Sequence, residues 1–309
     1  MKSILRHYGP VAVLLAGILV VSTLLSLFTG VGGADDPRPQ VVVTTYPLYV
    51  AAQNVLGETD GVRVTMLSGV GAGCLHDYQL SPADRLALER ADAVLINGVG
   101  AETFLDGMVE ESRLVDTSVG LSYICADADR HHEDLDHEHT EYNEHIWLSP
   151  AAYVWQVWQV SQAIIRLHPE LTETYTANAD AYMRQVLDVQ YALPGFDKRP
   201  CVLFHDSLSY LASDVHLDVR LTLSAEGESG ISAADLAQVE ALAKQHPDLV
   251  LLYDTQYPIR YTAVDGLVPA GQVLALETAV VGQGKASDWL DAMNRNLEKL
   301  QKLTGGDTP

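Results

Sequence analysis

Cysteine is scarce in this chain of 309 residues: Cys74, Cys125 and Cys201 are an odd number with no paired spacing. A disulfide-dense scaffold is therefore excluded, and nothing selects a pair for one disulfide plus a free thiol. Basic residues are also few, 19 Lys and Arg against 41 Asp and Glu, for a net charge of −22. Binding nucleic acid needs a basic face for the phosphates, so that class of partner is excluded. Two hydrolase signatures are missing, His-Glu-x-x-His and Gly-x-Ser-x-Gly, which leaves a zinc-dependent hydrolase as the lesser reading and a non-enzyme as the expectation. A flexible Gly/Ser linker of the kind a wide hinge uses is absent as well.

What is present begins with length and apolar content. A chain of 309 residues, 48% of them apolar, exceeds what one compact core supports, so two lobes are expected. Lys2 and Arg6 precede an apolar run from Pro10 to Phe28, followed by Gly32, Gly33 and Ala34. Residues 1–38 read as an export signal, or as a membrane anchor over residues 10–28, since the run approaches the roughly 20 residues that span a bilayer. No Cys follows the run, so the acylated cysteine of a lipoprotein is not expected. Either form puts the remainder in an extracytoplasmic compartment.

Short β-branched runs alternate with helix-length stretches through both halves. Strands are expected at Val41–Thr45, Val62–Leu67, Ala93–Asn97 and Arg113–Asp116, with helices near Leu48–Val55, Pro82–Arg90 and Glu102–Glu110. The second half repeats this with strands at Cys201–Phe204, Leu217–Leu221, Leu249–Tyr253 and Val273–Leu276, and helices near Leu208–Ala212, Ala233–Gln245 and Ser287–Lys302. Alternation of this kind implies βαβ units and an α/β fold of two similar parallel-sheet lobes. The stretch from Pro150 to Leu167 is apolar at helical spacing, and Glu170 to Leu193 contains neither Pro nor Gly. A helix of that second length extends about 36 Å and would join the lobes as a rigid spine. The expected division is 39–168 for the first lobe, 169–195 for the linking helix and 196–309 for the second lobe.

The histidines carry the chemistry. His76 follows the second strand across a Gly-rich loop, His145 follows the fourth strand, and His205 directly ends the first strand of the second half. In open parallel sheets ligands bind beyond the carboxyl ends of the strands, so these three imidazoles are placed to converge between the lobes. A carboxylate would complete a tetrahedral set, with Glu277 after the last strand as the candidate and Asp254 or a water as competitors. A lone histidine is more often a hydrogen-bonded core or surface residue; the common strand polarity of the three argues for a metal. Cys74 lies near His76 but reads as a small packed residue. The tract 126–144 holds His131, His132, His137 and His139 among many acids, and lacks apolar periodicity. It reads as a solvated insertion that can also collect cations weakly.

Three motifs now resemble one family. These are His76-Asp77-Tyr78-Gln79-Leu80-Ser81-Pro82, His145-Ile146-Trp147-Leu148-Ser149-Pro150 and Phe204-His205-Asp206-Ser207-Leu208-Ser209-Tyr210. In that order they resemble the metal-binding solute receptors of ABC importers, the cluster A-I group, and most of all its zinc branch. The resemblance runs from about Val41 to Leu303. It implies two α/β lobes joined by a rigid helix, a buried interlobe metal held by His76, His145 and His205, and Glu277 where the family often has Asp. It also implies an ABC permease as partner and a monomer. The chain departs from the pattern at Leu75, where Pro is usual, at Ser149, where an acid is usual, and after Glu277, where Thr278 replaces a Pro-Leu-Gly turn. Three imidazoles and one carboxylate favour Zn2+, with Mn2+ or Fe2+ second because manganese sites take more carboxylate. Imidazole ligates only when neutral, so affinity is expected to fall through the ordinary imidazole range near 6.5.

Overall fold

The computed structural model describes residues 36–67, 78–125, 142–223, 231–255, 264 and 266–304. The chain divides into two units, 1–38 and 39–309, and only residues 36–38 of the first are described. The second unit contains two four-stranded, all-parallel sheets. Strands β1 (Gln40–Val43), β2 (Arg63–Met66), β3 (Ala93–Ile96) and β4 (Leu114–Asp116) pair in the order β2-β1-β3-β4. Strands β5 (Pro200–Leu203), β6 (Asp218–Thr222), β7 (Val250–Asp254) and β8 (Val273–Leu276) repeat that order as β6-β5-β7-β8. In each sheet the strand order reverses about the first strand, and the crevice beyond the carboxyl ends at that point is where such sheets take ligands.

Seven α-helices connect these strands among the described residues: α1 (Tyr46–Leu56), α2 (Pro82–Arg90), α3 (Pro150–Leu167), α4 (Thr172–Ala192), α5 (Ser209–Asp214), α6 (Ala233–Gln245) and α7 (Asp288–Thr304). Their starts are written locally. Ser81 and Asp84 close a reciprocal capping box on α2, with Ser81 N–H donating to Asp84 Oδ2 at 2.8 Å and Asp84 N–H to Ser81 Oγ at 3.2 Å. Ser149 caps α3 ahead of Pro150, and Ser232 caps α6 by accepting from Asp235 N–H at 3.1 Å.

Strand alternation divides the apolar side chains. Val41 and Val43 of β1, and Cys201 and Leu203 of β5, turn towards one shared core with α1, α3, α4 and α7. Val42 joins a smaller outer cluster with Leu88 and Val94, while Val202 and Phe204 join another with Val239 and Leu251. The largest core therefore reaches both sheets, and α4 packs against α1, α3 and α7 within it.

Two helix expectations change. The segment 102–110 forms only a 3-10 turn, Thr103–Leu105. Glu102 turns its carboxylate back onto the backbone of Asn97 and Gly98, and Gly107 takes φ +70, outside the helical region. The long helix α4 begins at Thr172, after a 3-10 turn at Pro169–Leu171 that redirects the chain out of α3. Its 21 residues span about 32 Å.

Candidate metal centre

His205 stands two residues beyond the end of β5, after Phe204, in extended backbone at φ −153 and ψ 145. Leu203 pairs with Leu252 on β7, so continuing the register sets His205 opposite Asp254. Both lie two residues past side chains of the shared core, which places them on the same face of the sheet. His205 is 4% exposed and Asp254 1% exposed. The His205 Nδ1 accepts from Ser207 N–H at 3.0 Å and lies 3.2 Å from Asp206 Oδ1.

His145 arrives from the first half, just before a 3-10 turn at Ile146–Leu148 that leads into α3. It is 7% exposed, and its Nδ1 lies 3.1 Å from Asn143 Oδ1. The His145 and His205 rings meet at 5.7 Å between centroids and 89° between planes. Two imidazoles bound through Nε2 to one tetrahedral cation, at the usual metal–nitrogen length, put their centroids about 5 Å apart. Asn143 Oδ1 engages Nδ1 of His145, which leaves Nε2 of that ring to a cation, whereas His205, whose Nδ1 accepts from Ser207 N–H, would have to give up that bond to offer Nε2. Thus the structure brings together two of the expected ligands from opposite halves. His76 and the tract residues 126–141 lie outside the described residues.

Glu277 is placed differently. It follows the edge strand β8, and both of its carboxylate oxygens accept from Arg295 of α7, at 2.7 and 2.6 Å. That pairing holds its carboxyl below the ordinary range, against a smaller opposing effect of burial. The pair lines an open cavity of about 350 Å³ with Thr255, Asp288 and Lys285. Among the described residues no group of three or more His, Cys, Asp or Glu side chains converges on one point. Cys125 and Cys201 are unpaired thiols, and burial pushes Cys201 up to about 12, so it offers no thiolate.

A buried polar network supports His145 from behind. Glu102 Oε1 accepts from Thr44 Oγ1 at 2.5 Å and Asn97 N–H at 2.7 Å, and Oε2 accepts from Gly98 N–H at 3.0 Å. Gly98 sits at φ +85, and a Cβ there would meet Asp116 Oδ1 at 2.0 Å, so only glycine fits. Asn97 Nδ2 donates to the Glu144 carbonyl at 2.8 Å, and Gln156 Nε2 donates to Asn97 Oδ1 at 3.1 Å and Thr117 Oγ1 at 3.0 Å. The ends of β1 and β3 thereby hold the peptide next to His145. No signal in spacing or periodicity marks Glu102, Asn97 or Gln156; each reads locally as an ordinary surface residue. Ser149, where an acid is usual, is hydrogen-bonded to Asp214, whose carboxyl is raised chiefly by burial. An acid at 149 would face that buried carboxyl, which gives the departure a physical reason.

Burial pushes Glu102 up to about 7, against the donors that favour its charged form. Its folded value lies above the ordinary carboxyl range, so its contribution to stability is complete below that range and is lost as pH rises through about 7. Between about pH 4 and pH 8, Glu102→Gln should therefore gain about 3 kcal/mol on the wild type, measured by urea unfolding. A gap between the two proteins that stays constant with pH would show that folding does not raise the Glu102 carboxyl.

Two like sheets, with a buried histidine from each half meeting between them, define a two-lobed solute-binding protein. The chain belongs to the family described as ZnuA, zinc-uptake complex component A periplasmic, whose model matches residues 41–303. It is 25% identical over 291 residues to the zinc-binding lipoprotein AdcA of Streptococcus pneumoniae, a match covering 89% of this chain and 57% of that protein. The chain thus spans little more than half the length of that relative. It is 24% identical over 311 residues to the high-affinity zinc uptake system protein ZnuA of Bacillus subtilis, covering 93% of this chain and 96% of that one. Its fold is shared with the solute-binding protein FpvC of Pseudomonas aeruginosa, solved in complex with Mn2+, at a TM-score of 0.70 and 21% identity over 87% of this chain and 99% of that one.

Proposed function

We propose that this chain is an extracytoplasmic receptor, not an enzyme, that captures Zn2+ between its lobes and delivers it to an ABC permease as a monomer. The observation that carries the reading is the meeting of His145 and His205, both buried and contributed by opposite halves. Family membership supports it, and so do the names of the relatives, both of which bind or take up zinc. His76, His145, His205 and Glu277 are the proposed ligands, with the His-rich part of the tract 126–144 as a weak, exchangeable collector; Asn143 and Glu144 at its end are buried instead. Mn2+ or Fe2+ is the second choice of cargo. The division proposed is a leader or anchor over 1–38, a first lobe over 39–168, a linking helix over 169–195 and a second lobe over 196–309. Calorimetric titration of Zn2+ into metal-stripped protein should show one tight site per chain that Mn2+ displaces poorly. Weak binding of several ions, without a tight site, would overturn the reading.

Asp254 is the second candidate for the fourth position. Glu277 would have to exchange Arg295 for the cation, whereas Asp254 is already buried on the His205 face. If Glu277 makes that exchange, Glu277→Gln should weaken Zn2+ binding on the order of 10-fold or more, while Asp254→Asn leaves it within a few-fold. The reverse pattern would assign the fourth position to Asp254.

A further inference from the structure

We infer that Asn143 is a positioning residue that sets the two ligand-bearing loops against each other and holds His145 in the tautomer that binds metal. This rests on the receptor reading above and goes beyond it, because Asn143 is not itself a ligand. Asn143 is 2% exposed. Its Oδ1 accepts from His145 N–H at 2.9 Å and stands 3.1 Å from His145 Nδ1. Its Nδ2 donates to the carbonyl of Asp206 at 2.7 Å, across to the second half and one residue past His205.

The amide cannot be turned round. A backbone N–H at one end requires an acceptor there, and a backbone carbonyl at the other requires a donor. With Oδ1 fixed as the acceptor, its contact with the imidazole is favourable only when Nδ1 carries the hydrogen. The lone pair then lies on Nε2, the form a cation needs. The backbone of Asn143 is equally committed. Its N–H donates to the Ile124 carbonyl at 2.8 Å, and its carbonyl accepts from Tyr210 Oη at 3.0 Å. Tyr210 belongs to α5 of the second half, and its oxygen also accepts from Ile124 N–H at 3.1 Å. One residue therefore joins both halves twice, at the level of the two histidines.

The side chain required here is narrow. Aspartate would keep the acceptor towards His145 but set a carboxylate oxygen against the Asp206 carbonyl. Alanine would lose both functions, and leave the Asp206 carbonyl and the imidazole Nδ1 without their partner.

The test uses the metal-stripped full-length chain and its Asn143→Ala, Asn143→Asp and His145→Ala variants. Zn2+ affinity is read by competition with a chelator, and ring tautomers by imidazole nitrogen chemical shifts before metal is added. Asn143→Ala should lower affinity 10- to 100-fold, the range found when a partner of a ligating histidine is removed. His145 should at the same time shift from the Nδ1–H form to a mixture. Asn143→Asp should keep the Nδ1–H form and recover most of the affinity, while losing part of the thermal stability that the Asp206 bond supplies. Unchanged affinity and tautomer in Asn143→Ala, with His145→Ala still defective, would overturn the inference and leave the receptor reading intact. Loss of affinity in Asn143→Ala with His145 still in the Nδ1–H form would also overturn it. A wild type with no tight Zn2+ site would instead overturn the receptor reading itself.

Discussion

Alanine at position 205 should cost the protein its tight Zn2+ site, weakening binding on the order of 100-fold or more, as expected when one of three imidazole ligands is removed. The geometry makes this position decisive. His205 is 4% exposed beyond the carboxyl end of β5, the strand about which the second sheet reverses its order. No other histidine of the described second half is near that crevice: His216 lies between α5 and β6, and His246 follows α6. His246→Ala is accordingly the matched control and should bind Zn2+ as the wild type does. Titration calorimetry of the two variants beside the wild type checks the prediction. Undiminished binding in His205→Ala would move the cation to the His-rich tract. Deleting that tract should lower total stoichiometry yet preserve the tight site, and loss of the tight site on deletion would count equally against the assignment.

The second large effect is on stability. Trp289 is fully buried, stacks on Tyr153 at 4.3 Å between centroids, and donates from Nε1 to the Trp147 carbonyl at 3.1 Å. Trp147 in turn donates from its own Nε1 to the Thr278 carbonyl at 2.7 Å. This chain of contacts joins α7 to the turn that follows His145, from one half of the molecule to the other. Trp289→Ala removes a large buried ring and leaves the Trp147 carbonyl without its donor. The expected cost is about 4 kcal/mol, or a fall in Tm of about 10 °C by scanning calorimetry. Trp158, 40% exposed, provides the contrast. Its replacement by alanine should cost less than about 1 kcal/mol, even though it stacks on Trp155. A loss at Trp289→Ala as small as that expected for Trp158→Ala would mean that the Trp289 contacts do not bear on stability.

Strand and helix periods made the sheets legible, because β1, β3, β5 and β7 are short runs dominated by apolar residues, Val and Leu above all. His205 is legible as a candidate from its position after β5; His145, which follows β4 only across the long insertion, is legible through its Trp-Leu-Ser-Pro context. Less legible was everything set by contacts between distant residues. The helix expected over 102–110 fails because the Glu102 carboxylate finds Thr44, 58 residues away, and backbone donors that no local pattern announces. Glu277 reads as a ligand candidate from its place after β8, but its pairing with Arg295, 18 residues on, forms only when α7 folds back along the strand and so has no local signal. Asn143 was hidden for the same reason, since its partners come from residues 124, 206 and 210.

The apolar interior described for the two sheets has a consequence for how the chain exists at all. Side chains from β1 and β3 on one side and from β5, β7 and β8 on the other belong to a single contiguous body with α1, α3, α4 and α7. Severing the backbone between α4 and β5 would expose that body on both fragments, and neither could bury it alone. The two halves resemble each other in strand order, yet they are not interchangeable modules. They are made, melted and degraded together, and a graft of one half onto a foreign partner would have to bring the matching half of the interior with it.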